Sequence, residues 1–104
     1  MTKKEMAIHF LQMAGMGKVE EAYKRYIDEQ FIHHNQYFKG DRASLLAAMI
    51  EAHNTSPNLS ITTKYCYEDK EADTVITHSL VRKKNMDIAV AHIFKFKKDK
   101  IIEL

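Results

Sequence analysis

The sequence is poor in the residues that mark secreted or phosphate-binding proteins. Its 104 residues include one cysteine, one proline, three glycines and no tryptophan. A lone Cys66 cannot form an internal disulfide, so we expect a reducing compartment such as the cytoplasm. The few glycines form no phosphate-cradling loop and no dinucleotide fingerprint. We therefore set aside phosphoryl transfer and nicotinamide chemistry.

Long apolar runs and a charge excess of either sign are also missing. No stretch approaches the ~20 apolar residues that cross a bilayer, and the N-terminus lacks the apolar segment of an export signal. The chain has 16 Lys and Arg against 14 Asp and Glu, a net charge of +2. This balance is too even for a nucleic-acid binder, which normally shows a basic excess. We expect neither nucleic acid nor a membrane as a partner.

What the sequence does contain suits one domain over residues 1–104, because 45% of the residues are hydrophobic. Thr2 and Glu5 form a capping box that predicts the start of a first helix. The turn at Gly15 and Gly17 ends this helix. Apolar residues at helical spacing over 19–27 predict a second helix, packed antiparallel to the first.

The middle of the chain predicts an arm and a third helix. Residues 30–35 break the helical period and predict a short strand or extended arm. Asp41 can cap a third helix, which ends at Ser56 because the residue before Pro57 is pushed out of the helical region. His53 lies on the buried face of this helix, and we expect it, like His9, to be structural or exposed.

From Leu59 onward the sequence predicts strands. β-Branched and aromatic residues are frequent there, and short polar turns separate four segments, namely 59–68, 73–83, 87–97 and 101–104. This pattern predicts an antiparallel meander with the helices on one face, an α+β domain. No turn or polar tail follows Leu104, so we expect the last strand to be cut short.

Two of the six histidines are predicted to face the interior. On the strand 87–97, His92 shares its parity with Phe94 and Phe96. On the strand 73–83, His78 shares parity with two apolar residues, although Val75 and Val81 lie on the other face. A three-residue loop at 84–86 would place His78 opposite His92 with Cβ atoms ~5 Å apart, so at least one imidazole should be neutral. This arrangement predicts a histidine-bearing pocket.

Two other interpretations of these histidines must be weighed: a structural role in the core, which stays open, and a metal site, which is disfavoured. A buried histidine is more often a hydrogen-bonded core residue than a catalyst, and the functional interpretation rests on two of them converging. Three histidines could suit zinc, but no carboxylate or cysteine lies at ligand spacing with them. His33 and His34 are adjacent, so on a strand they point to opposite sides. We therefore expect no metal site.

Three stretches together resemble the SnoaL-like polyketide cyclase group of the NTF2-like superfamily. Each motif is weak alone, but their order and spacing cover nearly the whole chain. The matching stretches are Phe31–Asn35 with Gly40 and the helix Ser44–Ala52, then Asp73–His78, and finally Ala91–Phe96 with Asp99–Glu103. The resemblance implies a cone-shaped α+β barrel, with three N-terminal helices packed on a strongly bent antiparallel sheet. It also implies a homodimer formed through the sheet.

The departures from the family pattern bear on activity. The family's intramolecular aldol condensation uses an acidic residue and a histidine, without a metal. Here His33 replaces the usual Gln, Gln36 the usual Pro, and His92 the usual Asp. Leu104 stands where a histidine precedes the family's Trp-Asp pair, which this chain lacks. The other acidic residues fall at turns or, like Glu103, are predicted to face outward.

Two functions follow from the resemblance and the histidines. The first is a cofactor-independent lyase, isomerase or aldol-type cyclase, acting by proton abstraction next to a carbonyl. His78 or His92 would be the catalytic base, and the residues that would bind substrate are His34, Asn35, Tyr37, Tyr65 and Phe94. The second is a non-catalytic module for ligand binding or dimerisation. In both, the partner is a small apolar or carbonyl-containing ligand. A short last strand should also expose Tyr65, Phe94 or Phe96, which a homodimer would cover.

Overall fold

A computed structural model describes residues 1–32 and 42–104 of the chain. The elements are α1 (Lys3–Gly15), α2 (Val19–Tyr26), β1 (Ile27–Ile32), α3 (Arg42–Thr55), β2 (Ser60–Asp69), β3 (Thr74–Arg82), β4 (Asp87–Lys97) and β5 (Lys100–Glu103). The predicted order of helices and strands is confirmed, and the bounds of β4 are those predicted.

The helix ends follow from the residues found there. The capping box is formed, with the Thr2 hydroxyl accepting from the Glu5 backbone at 3.1 Å and the Glu5 carboxylate accepting from the Thr2 backbone at 2.9 Å. Gly17 has a φ of +97°, which only glycine adopts without strain, and so allows the tight turn into α2. The predicted second helix includes Ile27, but this residue is already extended and begins β1. The predicted cap at Asp41 lies outside the described residues.

The five strands form one mixed sheet in the order β1-β5-β4-β3-β2. The four later strands pair antiparallel, as predicted. The segment predicted as a short strand or arm contributes a fifth strand, β1, which pairs with β5 in parallel, Ile27 lying opposite Ile101. In the part of the chain that the structure describes, the sheet remains open and does not close into a barrel.

Irregularities in two strands bend the sheet around the helices. The register shifts between Thr63 and Tyr65 on β2 and between Lys95 and Phe96 on β4, and such bulges bend a strand and increase its twist. The concave inner face packs against α1, where the rings of Phe10 and Phe94 meet edge to face with centroids 6.2 Å apart.

The expectation that a short last strand exposes Phe94 or Phe96 is wrong. Phe94 is 0% exposed and Phe96 is 4% exposed. Both residues lie on the inner face of β4, where Phe94 packs against Phe10 of α1 and Phe96 lies opposite the buried Ile101 of β5, so their burial does not require a longer last strand. Tyr65, in contrast, is exposed as expected.

The hairpin of β3 and β4 has a register one residue away from the predicted one. Arg82, rather than Lys83, lies opposite Asp87, and the connection contains four residues, closed by a hydrogen bond of 2.8 Å from the Lys83 backbone N–H to the Met86 carbonyl. A shift of one residue moves every side chain of a strand to the opposite face. His78 therefore points outward, and Thr77 rather than His78 lies opposite His92.

Candidate functional site

A cleft of about 690 Å³ opens between α1, α3, β4 and the end of β5. This volume is within the usual range for small-molecule sites. One wall is apolar and consists of Phe10 and Leu11 from α1 and Leu45 and Met49 from α3. The opposite side is formed by β4 and β5, with the inward-facing His92 and, at the end of β5, Glu103 as its polar residues, while Lys95 borders the cleft from the exposed parity of β4. The cleft therefore combines an apolar wall with a few polar groups.

His92 is the titratable side chain that β4 directs into this cleft. The strand alternation places it on the same side as the buried Phe94, and the two rings lie 5.9 Å apart. Burial lowers the pKa of the imidazole below its ordinary value of 6.5, because an apolar environment disfavours the charged form. Nδ1 is buried without a hydrogen-bond partner among the described residues. At neutral pH His92 is therefore uncharged and able to accept a proton.

Glu103, which is half-buried at the end of β5, also lines this cleft. Ile101, two residues earlier on β5, is 0% exposed, but the register with β4 shifts between these two positions, so the alternation from Ile101 does not carry on to Glu103. Glu103 lies opposite Lys95, three residues along β4 from His92. This offset corresponds to about 10 Å along the strand. The imidazole and the carboxylate thus stand at separate points of the cleft.

Thr77 is a polar residue of the inner face that the sequence analysis does not single out. It lies directly opposite His92 in the β3–β4 ladder and is 0% exposed. Its Oγ1 has no hydrogen-bond partner within the described part of the chain. The neighbouring inward hydroxyl, that of Ser79, is hydrogen-bonded to Thr63 at 3.2 Å. The sequence signal that could have located Thr77 is its shared parity with the apolar Val75 and Val81, which face inward.

Of the other predicted site residues, the three that the structure describes, His78, Tyr65 and Phe94, do not line the cleft. The inward orientation predicted for His78 is wrong, because the slipped register places this residue on the outer face. There it stacks on Tyr65, with ring centroids 6.0 Å apart and planes 18° apart. Tyr65 is 57% exposed and also belongs to the outer face. Phe94 faces inward but is buried in the core behind His92. The predicted substrate-binding residues His34, Asn35 and Tyr37 lie outside the described residues.

The remaining described histidines have structural neighbours. His9 Nδ1 is 2.5 Å from the Tyr26 hydroxyl, and the His53 ring packs against Gly17. Among residues 1–32 and 42–104, no group of three histidine, cysteine or acidic side chains is arranged to hold a metal ion. In the same ranges, no helix is both long and apolar enough to span a membrane.

Comparisons with known proteins find likeness in structure and none in sequence. No protein-family model matches the chain, and no curated protein matches it. Among solved structures, an NTF2-like protein of unknown function from Cytophaga hutchinsonii superposes with a TM-score of 0.77 at 13% identity, covering 99% of this chain and 86% of that one. A protein from Mesorhizobium loti, described as a SnoaL-like polyketide cyclase, superposes with a TM-score of 0.69 at 13% identity, covering 99% and 96%.

A third structure adds a bound small molecule. It is a protein from Catenulispora acidiphila with a ketosteroid isomerase-like fold, in complex with trimethylamine. Its TM-score is 0.74 at 14% identity, and it covers 98% of this chain and 83% of that one. At such identities the likeness shows the fold alone. The chain has the α+β fold of NTF2-like proteins, which confirms the predicted resemblance at the level of the fold.

Proposed function

We propose that the protein is a cofactor-independent acid–base catalyst that removes a proton next to the carbonyl of a small, largely apolar ligand. The observation that carries this proposal is the position of His92, a neutral imidazole at the polar side of an otherwise apolar cleft. A general base must be unprotonated at working pH and within reach of the proton that it removes. His92 meets the first condition, and its place in the cleft supports the second.

The ring geometry suggests how such a reaction would run. Because Nδ1 is buried, Nε2 is the nitrogen that faces the cleft and would take the proton from carbon. The apolar wall, with Leu45 and Met49, would hold the body of the ligand. Glu103 would serve as the second acid–base group, about 10 Å along the strand from His92. Lyase, isomerase and aldol-type cyclase reactions all begin with this proton removal, and the choice among them stays a prediction.

Exchange of α-protons for deuterium in a simple ketone measures the proposed step directly. With cyclohexanone in D₂O followed by NMR, we expect the wild type to accelerate exchange and His92→Gln to lose at least about a hundredfold of that acceleration. His78→Gln is the matched control, because it removes a histidine from the same hairpin but from the opposite face. Equal acceleration by His92→Gln and the wild type would rule out His92 as the base.

The alternative function is a non-catalytic module that binds a small apolar ligand. The predominantly apolar wall of the cleft favours it, since such walls are typical of binding sites in general. The complex of trimethylamine with the Catenulispora protein shows that a protein of this fold can hold a small molecule. If the His92 ring resonances shift on adding a β-diketone but no exchange occurs with any ketone tested, the binding module is the correct function.

We further propose that the protein forms a homodimer through the outer face of its sheet. Four large side chains there form a patch in neighbouring strands, with exposed fractions of 57% for Tyr65, 61% for Tyr67, 41% for Ile76 and 55% for Ile93. Contiguous exposed apolar surface of this kind commonly marks an interface. The patch would pair with the same patch of a second copy, as in a two-fold dimer.

The charges at the ends of this outer patch suit such self-association. One end carries the ion pair of Arg82 and Asp87, 3.5 Å apart. The other end carries Asp69 on β2 and Lys95 on β4, which lie on either side of Thr74 of β3. When two copies face each other with their strands reversed, each acid can meet a base. We place this dimer in the cytoplasm, since its one cysteine, Cys66, is a free thiol.

A further inference from the structure

The inner face of the β3–β4 hairpin holds two buried polar atoms at one position of the ladder. Thr77 Oγ1 and His92 Nδ1 are both without a hydrogen-bond partner among the described residues, and their residues are direct register partners. Buried polar atoms in proteins are rarely left unsatisfied, and an exception calls for an explanation. Two such atoms on facing residues are most simply explained together.

We propose that Thr77 is a positioning residue for His92, its hydroxyl accepting a hydrogen bond from the Nδ1–H of the imidazole when the site is at work. This inference rests on the proposed role of His92 as a base. Opposite residues in an antiparallel ladder have Cβ atoms about 5 Å apart. A rotation of the threonine about χ1, with a turn of the ring, then brings Oγ1 and Nδ1 to the roughly 2.9 Å of a hydrogen bond.

The surroundings favour Thr77 over other partners for this nitrogen. On β3, its inward neighbours are the apolar Val75, 0% exposed, and Ser79, whose hydroxyl is already bonded to Thr63. On β4, the adjacent inward residue Phe94 offers no acceptor. A threonine hydroxyl can accept one hydrogen bond while donating another, so it can accept a hydrogen bond from the Nδ1–H.

The consequence for chemistry is the choice of tautomer. A neutral imidazole carries its proton on one nitrogen only, and the bond made by that nitrogen decides which. With the proton held on Nδ1 by Thr77, Nε2 is left as an acceptor facing the cleft. Without the hydroxyl, the proton can move to Nε2, and the nitrogen presented to the ligand loses its basic lone pair.

The tautomer can be measured directly by ¹⁵N NMR of histidine-labelled protein at pH 8, with the His92 signals assigned by their loss in His92→Gln. We expect the wild type to show an Nδ1–H tautomer. Thr77→Val, which keeps the shape but removes the hydroxyl, should shift the population toward Nε2–H. Thr77→Ser, which keeps the hydroxyl, should retain the wild-type tautomer. In the ketone exchange assay, Thr77→Val should lose part of the roughly hundredfold acceleration that depends on His92, because fewer molecules present a basic Nε2, with ligand affinity unchanged.

An Nε2–H tautomer in the wild-type protein would overturn the proposal, and this result does not depend on any variant folding. An unchanged tautomer in Thr77→Val would also overturn it. The NMR measurement needs neither ligand nor turnover, so a failure of the proposed catalysis leaves the test of Thr77 intact. Conversely, rapid exchange by Thr77→Val with a shifted tautomer would contradict the role of Nε2 as the base.

Discussion

At the scale of single residues, His92 shows how burial sets both reactivity and stability. The same apolar surroundings that keep the imidazole neutral oppose its protonation in the folded state. Its pKa in the folded protein is below the ordinary value of 6.5, while the unfolded chain returns to that value. Between these two pKa values the unfolded state binds more protons than the folded state, so a fall in pH through this window favours unfolding, and below both values the two states are equally protonated.

We therefore predict that the free energy of unfolding falls as the pH drops through about 6.5, and that the fall ends below the lowered pKa of folded His92. Urea unfolding at pH 7.5, 6.5 and 5.5 measures this. The His92→Gln variant should show a flatter dependence on pH, whatever its stability at pH 7.5. His78→Gln, which alters an exposed histidine, serves as the control. A slope in His92→Gln as steep as that of the wild type would contradict the prediction.

At the scale of elements, what could be predicted depends on how many signals agree. The capping box, the glycine turn and the strand β4 each carry one dominant pattern, and each is found where it was predicted. The hairpin of β3 and β4 carries two patterns that compete, because His78 and Val75 lie on opposite parities. The prediction that His78 faces inward depended on a three-residue loop. The connection has four residues, which shifts the register by one and turns the other face of β3 inward. The place of Glu103 at the cleft could not be predicted, because a strand of four residues with a register shift has too little alternation to fix a face.

The turn between α1 and α2 gives a prediction at this scale. A Cβ atom added at Gly17 would collide with the ring of His53, and the φ of +97° is unfavourable for any other residue. We expect Gly17→Ala to destabilise the protein by about 1–3 kcal/mol. Gly15→Ala is the control, since its added Cβ would meet Ile61 at 3.3 Å and its helical backbone favours alanine. The double variant Gly17→Ala/His53→Ala removes the collision but keeps the unfavourable φ, so it should recover only part of the lost stability. Chemical denaturation giving equal stability for both single variants would refute this account.

At the scale of the whole molecule, the fold and the function were accessible to different degrees. Amphipathic helices followed by alternating strands define an α+β arrangement, and this was visible in the sequence. The parallel pairing of β1 with β5 was not, because the paired residues Ile27 and Ile101 are 74 positions apart and meet only through the tertiary structure. Activity is not set by the fold, since the same architecture occurs in the Mesorhizobium protein described as a cyclase and in the ketosteroid isomerase-like protein that binds trimethylamine. The proposed activity rests instead on His92 and its neighbours.

The proposed dimer gives the prediction that belongs to this scale. A folded pair is stabilised by mass action, so its melting temperature should rise with protein concentration. We expect sedimentation to show a dimer of the wild type at tens of micromolar. Ile76→Glu should be a monomer, because a buried unpaired carboxylate would oppose association. The melting temperature of this variant should no longer depend on protein concentration. Met86→Glu places the same charge on a side chain that is 57% exposed in the β3–β4 loop, away from the outer patch, and should remain dimeric. A wild-type protein that sediments strictly as a monomer would exclude the outer patch as a dimer interface. Loss of the dimer in both variants would show that the added charge, rather than its position in the outer patch, prevents association.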